Sequence, residues 1–585
     1  MSRRGALALG LGAAVVLLVP WLGAAPLDDP GEGQHAEIAR EAWLGRDILT
    51  LRLNGVRYFD KPPLLYALGA AALAVFGPVE WAARLPPLLG ALLALAATIV
   101  LGARLLGAPA GLAAGLALLG SPLFFAFGSY LRPETLFVAA VQWGLTGLCL
   151  AVVGADEGTG ARRWALAGWI ALGLAALAKD PVALVGPPAA VGLALALSAR
   201  GPASRAGWMP AGAVAAGLAL GLGWYVAAAL ANPGFAWYVL VDNHLLNALG
   251  ARRFPDADVP LSTGEFLTVS ALGVFPWILP AAVGAGRLLR EGAWRDPREA
   301  PWLALLVWAG GLLALFGLSR FKLPHYALPA YPAIALLAVR EWRRRVRSPG
   351  WLADVHAAAF AALGLGAGLA AALDGRALLA VVLRATDVQT RKEALTEPLL
   401  DWGDVRPLLV HVAVVAGVAA LALLIGRRRG GRHALVVVLL ATLALTPAVG
   451  AGLARVAAAR SVAAMGATVA REAPGAVLVH EGPIEGAGAL EWYSGRRPVL
   501  LDATRSVLAF GATYPEAADT FWDEGRFLAE WRAGRPLLLL TARAPDASVV
   551  ARIPEGHRRL VAAAHGRRLY RIGCDGPSAC GSVGR

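Results

Sequence analysis

Residues 85–103 read LPPLLGALLALAATIVLGA, a stretch without Asp, Glu, Lys or Arg. A helix needs about 20 apolar residues to cross the hydrocarbon core of a bilayer, and this stretch has that length. Comparable uncharged stretches lie at 110–128, 135–155, 181–199, 266–286 and 434–454. The pattern predicts a polytopic α-helical membrane protein.

The composition agrees with this fold class. Of the 585 residues, 57% are hydrophobic and 16% are charged, whereas soluble domains carry about 25% charged residues. The net charge of +14 is attributed to loop arginines that set the topology. No basic segment is interleaved with aromatic residues in a soluble region, so we exclude nucleic-acid binding.

Thirteen transmembrane helices fit the sequence best, the first being an uncleaved span at about 6–25 rather than a signal peptide. Under this count all short arginine-bearing loops fall on one side, which the positive-inside rule identifies as the cytoplasm. The N-terminus is then cytoplasmic. These loops carry Arg3 and Arg4, Arg104, Arg162 and Arg163, Arg200 and Arg205, Arg287 to Arg298, Arg343 to Arg347, and Arg427 to Arg432.

The chain divides into a transmembrane unit, 1–455, and a soluble unit, 456–585, on the outer side. The main outer loops are 26–82 and 231–263. In the soluble unit, apolar runs at 476–479, 498–501 and 536–540 predict strands and the stretch 515–531 predicts an amphipathic helix, giving an α/β domain. The spacing of Cys574 and Cys580 permits a disulfide without requiring one.

The first outer loop holds the densest group of polar residues. Asp28, Asp29 and Glu32 precede a helix predicted from about residue 34 to 44. Acidic residues at a helix start stabilise its free N–H groups and dipole; alternatively, they bind a metal or an acceptor group. Lys61 follows Asp60 and precedes two prolines that fix the chain. It either snorkels to the lipid headgroups or binds the phosphate of a lipid.

Several motifs occur in order: HAEIAREAW at 35–43, NGVRYFDKPPLLYAL at 54–68, LRPETLF at 131–137, the segment 232–254 and LSRFKLPHYALPAYP at 318–332. Together they resemble bacterial membrane glycosyltransferases with the C-type fold, which are similar to aminoarabinose transferases acting on lipid A and to protein mannosyltransferases. The resemblance is strong from residue 1 to about 340 and only topological beyond.

The resemblance implies a function. Such enzymes transfer a sugar from a polyprenyl-phosphate donor to an acceptor outside the cytoplasm, such as lipid A, another glycolipid or a protein. A single displacement would invert the configuration at the anomeric carbon of the sugar. It further implies a bacterial inner-membrane protein with a periplasmic soluble unit, in contact with membrane lipids and without a nucleotide cofactor.

The resemblance also implies which cations bind the phosphate of the donor. It implies that Lys61, Arg252 and Arg253 hold the lipid phosphate. Arg320 and Lys322 form a second cationic cluster at the outer face. We expect this cluster to contact phosphate or pyrophosphate, with interfacial anchoring as the alternative.

The resemblance further implies that Asp60 and His244 contribute to a divalent-metal site for zinc or magnesium. A hydrogen-bonded loop histidine is the alternative interpretation of His244. A carboxylate near the anomeric carbon would act as a base toward an acceptor hydroxyl, and Asp29, Glu32 and Glu134 are the candidates.

Two departures from the family pattern affect these candidates. The family commonly has Asp-Glu where this chain has Gly31-Glu32, so Asp28 or Asp29 would have to replace the missing aspartate in space. The acidic residue of the second outer loop is usually Asp and here is Glu134.

The main alternative class is a transporter or flippase. Transporters place ionisable groups and broken helices near the bilayer midplane. The predicted spans are almost free of charge and the polar segments lie outside them, which favours an enzyme at the membrane surface.

Overall fold

The computed structural model describes residues 1–157, 160–198, 207–254, 260–345, 350–386, 399–503 and 506–573. Helices dominate it. The longer α-helices are Arg3–Leu18, Gly33–Gly45, Leu64–Phe76, Leu85–Leu105, Ala108–Leu119, Glu134–Glu157, Ala161–Ala178, Gly186–Leu197, Ala211–Ala231, Thr263–Gly273, Ile278–Arg290, Ala300–Leu318, Tyr331–Arg344, Gly350–Ala372, Arg376–Thr386, Trp402–Ile425 and Gly431–Arg460. Shorter ones are Glu80–Ala83, Pro122–Phe127, Phe235–Trp237, Asn247–Leu249, Ala463–Arg471, Leu490–Ser494 and Glu524–Arg532, and Tyr238–Leu246 is a π-helix.

The chain is a multi-pass membrane protein. Within the described ranges, eight helices are long and apolar enough to cross a bilayer. Large apolar side chains on these helices face outward, such as Val16, Leu230 and Leu318, which are 71%, 84% and 87% exposed. Outward apolar surface of this kind requires lipid around it. The exact count of thirteen spans stays a prediction.

One predicted span is not a continuous helix. The sequence predicts a single helix over 264–286, but the structure has Thr263–Gly273 and Ile278–Arg290 at 101° to one another. Phe275-Pro276 lies between them. Proline disfavours helical geometry in the residue before it and lacks an N–H group. Pro276 therefore accounts for the interruption of the helix at this position.

The strands are β1 (Arg52–Leu53), β2 (Val56–Arg57), β3 (Val477–Glu481), β4 (Val499–Leu501), β5 (Phe521–Trp522), β6 (Leu537–Thr541), β7 (Arg558–Ala564) and β8 (Arg567–Ile572). The C-terminal region forms a six-stranded sheet in the order β5-β4-β3-β6-β8-β7. The first four strands in this order are parallel neighbours, and β8 and β7 add in antiparallel fashion. A separate hairpin, β1-β2, lies in the first outer loop.

The α/β prediction for this region is confirmed, with one error in detail. The three predicted strands are β3, β4 and β6. The helix predicted over 515–531 is wrong in extent, because a short 3-10 turn and β5 occupy 515–522 and the helix begins only at Glu524. Asp523 caps that helix by accepting a hydrogen bond from the backbone N–H of Arg526, and this fixes its start. Cys574 and Cys580 lie outside the described residues.

The sheet packs directly on the first outer loop. One hydrophobic core includes Leu27, Ile38 and Tyr66 from the loop and Leu478 and Leu540 from the sheet. The last long helix, Gly431–Arg460, also extends beyond the predicted boundary at 455. The two predicted units therefore share a core, and the sheet is held over the outer ends of the membrane helices.

Candidate functional site

A cavity of about 910 Å³ lies where the membrane helices, the first outer loop and the C-terminal region meet. At the level of the membrane it is lined by apolar side chains, including Leu193 of helix Gly186–Leu197 and Leu312 and Leu315 of helix Ala300–Leu318. Polar residues from the outer loops line the rest of it. One cavity thus offers an apolar wall for a lipid chain and a polar region for its head group.

Two of the predicted cations line this cavity. Lys61 pairs with the adjacent carboxylate of Asp60. The guanidinium of Arg252 lies 3.3 Å from the Asp242 carboxylate, which is fully buried. Burial by itself would raise the pKa of Asp60, but the Lys61 ammonium and, more weakly, Arg252 hold it below its ordinary value. Asp60 is therefore ionised and keeps Lys61 in place.

The other predicted cations do not line the cavity. Arg253 lies over the ring of Trp237, with 5.5 Å between the guanidinium carbon and the ring centroid. Arg320 is exposed to solvent. Lys322 is buried and its Nζ donates to the hydroxyl of Thr263 and to the carbonyls of Gly317 and Ser319. These contacts make Lys322 a structural residue, so the predicted second cationic cluster is not brought to the cavity.

Asp29 is not at the cavity surface either. It is fully buried, and its carboxylate accepts hydrogen bonds from the backbone N–H groups of Ala489 at 3.0 Å and Val462 at 3.3 Å. Burial raises the pKa of Asp29 to about 7, although the nearby Arg567 opposes the shift. Asp29 joins the first outer loop to the C-terminal region, which contradicts its predicted position beside a substrate.

Glu32 is also structural. Its carboxylate pairs with Arg84 at 2.5 Å and accepts hydrogen bonds from the backbone N–H groups of Leu131 and Asp28. Both members of the ion pair are buried, and they line a separate recess of about 20 Å³. Glu32 therefore joins the first two outer loops, and its predicted role as a base has no support in this geometry.

Glu134 lines the cavity and lies beside two cations and a histidine. Its carboxylate lies 3.1 Å from Lys179, 3.3 Å from His325 and 3.9 Å from Arg132. Lys179 directly follows helix Ala161–Ala178 and turns to Glu134. Two cations beside the carboxylate, Lys179 and Arg132, make it a weak base, so Glu134 organises these two cations of the cavity.

Of the three acidic residues that precede helix Gly33–Gly45, Asp28 is the one that lines the cavity. The hydroxyl of Tyr130 donates to its Oδ2 atom. A Cβ atom built on Gly31 would lie 1.6 Å from the Tyr130 hydroxyl oxygen and 2.9 Å from Asp28 Oδ2. The Asp28–Tyr130 pair thus fills the space of a side chain at position 31, and Asp28, rather than Asp29, replaces the missing aspartate in space.

His35 lines the cavity and was not singled out from the sequence. Its Nδ1 atom lies 2.9 Å from the Tyr66 hydroxyl, and its buried Nε2 atom has no hydrogen-bond partner within the described part of the chain. Burial lowers the pKa of His35 to about 3, and the nearby Arg132 adds to this. The ring is therefore neutral. Its place in HAEIAREAW, beside the acidic residues, was the available signal.

The residues present do not fit the predicted metal site. Asp60 pairs with Lys61, whereas His244 Nε2 lies 3.3 Å from Asp180 and its Nδ1 lies 2.6 Å from the Val239 carbonyl oxygen. Three residues able to ligate a metal come together elsewhere in the described ranges, at Glu37, Glu41 and Glu491. Arg40 and Arg497 pair with these carboxylates, so guanidinium groups already occupy positions that a metal ion would need.

A solved structure matches the fold over 97% of this chain. ArnT from Cupriavidus metallidurans in the apo state superposes with a TM-score of 0.77, covering 97% of this chain and 98% of that one at 24% identity. The same protein bound to undecaprenyl phosphate gives a TM-score of 0.76. The chain has the fold of the C-type membrane glycosyltransferases. The fold prediction is confirmed.

Sequence relatives agree with the C-type fold. Residues 60–242 match the family described as dolichyl-phosphate-mannose-protein mannosyltransferase. The undecaprenyl phosphate-α-4-amino-4-deoxy-L-arabinose arabinosyl transferase of Pseudomonas aeruginosa is 30% identical over 327 residues, covering 54% of this chain and 56% of the relative. One from Sodalis glossinidius is 29% identical over 398 residues, covering 65% and 67%. The chain thus spans a little over half the length of the first of these relatives. It is similar both to the aminoarabinose transferases and to the protein mannosyltransferases.

Proposed function

We propose that this protein is a glycosyltransferase that moves a sugar from a polyprenyl-phosphate donor to an acceptor outside the cytoplasm. The observation that carries the proposal is the single cavity in which an apolar wall at membrane level adjoins Lys61 and Arg252. A polyprenyl chain suits the apolar wall, and its phosphate suits the two cations. Relatives named for undecaprenyl phosphate-aminoarabinose support this donor class.

The chemistry follows from the donor. A polyprenyl phosphate is a good leaving group, so the protein must hold it in line and stabilise the negative charge that grows as the bond to the sugar breaks. Lys61 and Arg252 line the cavity and supply positive charge for this task. Because Asp60 and Asp242 pair with them, both cations are oriented before the donor binds.

Asp28 is the carboxylate that we assign to the sugar side of the reaction. It lines the cavity, and Tyr130 fixes its orientation. Toward a hydroxyl acceptor it would act as a general base. Toward a phosphate acceptor it would stabilise the positive charge that develops on the sugar ring. In both cases a single displacement inverts the anomeric centre.

We place the protein in the bacterial inner membrane, with its N-terminus in the cytoplasm and the C-terminal sheet in the periplasm. The arginine-rich loops support this orientation. The transfer requires no nucleotide, and no step is assigned to a metal ion. Lipid A, another glycolipid and a protein are the acceptor classes to compare.

The test is a transfer assay with the purified protein in lipid nanodiscs. We would supply undecaprenyl-phosphate sugars, beginning with 4-amino-4-deoxy-L-arabinose, with lipid A, peptide and glycan acceptors. We expect transfer to one acceptor class with inversion, and loss of transfer in Lys61→Ala. No transfer to any acceptor in nanodiscs, together with donor movement between leaflets after reconstitution into sealed vesicles, would replace the proposal with a flippase.

A further inference from the structure

A loop of the C-terminal region packs against both main outer loops. It comprises residues 506–517, between β4 and β5 in the chain, and we call it the clasp loop. Its side chain Phe510 is only 8% exposed and belongs to an aromatic cluster to which both outer loops contribute. The contacts of this one ring connect the C-terminal region to the segments that carry the two donor cations.

Phe510 contacts the segment that carries Lys61. The centroid of its ring lies 5.6 Å from that of Phe59, which is two residues before Lys61. The described residues that line the cavity include Phe59 but not Phe510. The next residue, Gly511, packs so closely on hairpin β1-β2 that a Cβ atom there would lie 2.0 Å from the carbonyl oxygen of Arg57. Phe510 therefore supports the cavity lining from behind.

Phe510 also contacts the segment that carries Arg252. The ring of Tyr238 stacks on it, with 4.4 Å between the centroids and an angle of 6° between the planes. Phe254, two residues after Arg252, lies edge-on with its centroid 5.4 Å away. Tyr238 begins the π-helix that also holds Asp242, the buried carboxylate beside Arg252. Phe510 thus contacts the chain on both sides of the Asp242–Arg252 pair.

Polar contacts fix the clasp loop to the same two outer loops. The hydroxyl of Tyr514 donates to the carbonyl oxygen of Pro233 at 2.6 Å. The guanidinium carbon of Arg57 lies 4.2 Å from the centroid of the Tyr514 ring, and its Nε pairs with Glu516 at 2.5 Å. Arg57 also donates to the side-chain oxygen of Asn232 at 2.8 Å. A displacement of either outer loop would therefore break contacts with the clasp loop.

We propose that Phe510 is a positioning residue of the donor site, which keeps Lys61 and Arg252 at the separation that one phosphate group requires. The inference rests on the proposed donor site. Cations that are ordered before the anion arrives bind it more tightly, because less conformational freedom is lost on binding. Through Phe510 the C-terminal region contributes to donor affinity without a contact between this ring and the phosphate.

The test measures the Tm and the Kd for undecaprenyl phosphate in nanodiscs, for wild type, Phe510→Leu and Phe527→Leu. Phe527 is the matched control, because it is fully buried in a second core whose members all belong to the C-terminal region. Both variants lose a buried ring. We expect Phe510→Leu to raise the Kd about tenfold, the scale of one lost aromatic contact. Phe527→Leu should lower the Tm and leave the Kd unchanged.

A second comparison shows whether Phe510 acts through Lys61. In the Lys61→Ala background, Phe510→Leu should raise the Kd by a smaller factor than in wild type, because one of the two cations that it positions is already gone. The same factor in both backgrounds would overturn the positioning role, since independent sites give independent losses.

Tyr514→Phe covers the case in which Phe510→Leu does not fold. It keeps the ring and removes only the hydrogen bond to the carbonyl oxygen of Pro233. We expect it to raise the Kd about threefold, as for one neutral hydrogen bond. An unchanged Kd in Tyr514→Phe would then overturn the inference.

The outcomes separate this inference from the proposed function. An unchanged Kd in a folded Phe510→Leu, or equal increases in Phe510→Leu and Phe527→Leu, would overturn the positioning role while leaving sugar transfer by wild type intact. A Kd that depends on Phe510, in a protein whose wild type transfers no sugar, would instead overturn the proposed glycosyltransferase and keep the positioning role.

Discussion

Asp28 Oδ2 lies 2.9 Å from the position that a Cβ atom on Gly31 would occupy. The carboxylate that the family pattern places at position 31 is therefore supplied here from three residues earlier in the chain. The bare backbone of Gly31 leaves room for it and for the Tyr130 hydroxyl. This relationship identifies which acidic residue of the first outer loop to test.

Asp28→Asn should lower kcat for sugar transfer by about a hundredfold or more, the usual scale for losing an acid–base group. The substitution keeps the shape of the side chain, so binding of undecaprenyl phosphate should stay close to wild type. Asp29→Asn is the control and should keep kcat within a few fold. A large loss of kcat in Asp29→Asn alone, in a folded protein, would contradict the assignment.

Gly31→Ala provides a second variant at the same place. Its new methyl group would meet the Tyr130 hydroxyl, because the Cβ position is only 1.6 Å from that oxygen. We expect kcat to fall although all carboxylates remain, and Tyr130→Phe in the same background should recover part of it. Unchanged kcat in Gly31→Ala would show that the position of Asp28 is not critical.

The sequence predicted the class of fold better than it predicted which charged side chains line the cavity. Arginine placement and apolar length are local properties, and so is the FDKPP segment that presents Lys61. By contrast, the burial of Asp29 depends on backbone N–H groups at Val462 and Ala489. No local pattern shows that contact, since it requires the C-terminal sheet to pack on the first outer loop.

Tertiary contacts that the sequence does not show also decide which of the predicted cations line the cavity. Arg253 and Lys322 look equivalent to Arg252 and Lys61 in the sequence, but tertiary contacts separate them. Lys322 is used by three oxygen acceptors, and Arg253 lies on an aromatic ring. Charge type could be read from the sequence, whereas access to the cavity could not.

Lys61→Ala should weaken undecaprenyl phosphate binding about tenfold, as expected for one lost charge-assisted contact. Arg253→Ala, which removes a neighbouring charge outside the cavity lining, should bind like wild type. The measurement is a Kd for undecaprenyl phosphate in nanodiscs at fixed salt. Equal losses in both variants would indicate a general effect of surface charge rather than a phosphate contact.

Glu134→Gln should lower the Tm strongly. Removing one partner of a buried ion pair costs about 3 kcal/mol, because the remaining charge is left uncompensated. Here Lys179 would lose the carboxylate 3.1 Å away. The double variant Glu134→Gln/Lys179→Met should regain part of the stability, since no unpaired ammonium remains. Additive losses would contradict a direct interaction between the two side chains.

Asp29 should make stability depend on pH. Its pKa is raised by burial from 3.8 to about 7, so the folded state favours the protonated carboxyl. The contribution of protonated Asp29 to the free energy of unfolding is fully present below about pH 4 and is lost as the pH rises through 7. A shift of about three pKa units corresponds to about 4 kcal/mol. Asn mimics the protonated acid and does not ionise.

The Tm of Asp29→Asn should therefore match wild type near pH 4 and exceed it near pH 8. Glu37, whose pKa burial also raises to about 7, stays in both proteins, so its own titration cancels in the comparison. Glu37→Gln is the matched control, because the change in Tm that it causes should add to the change caused by Asp29→Asn. A difference in Tm that does not change between pH 4 and pH 8 would show that Asp29 stays ionised in the junction between the first outer loop and the sheet.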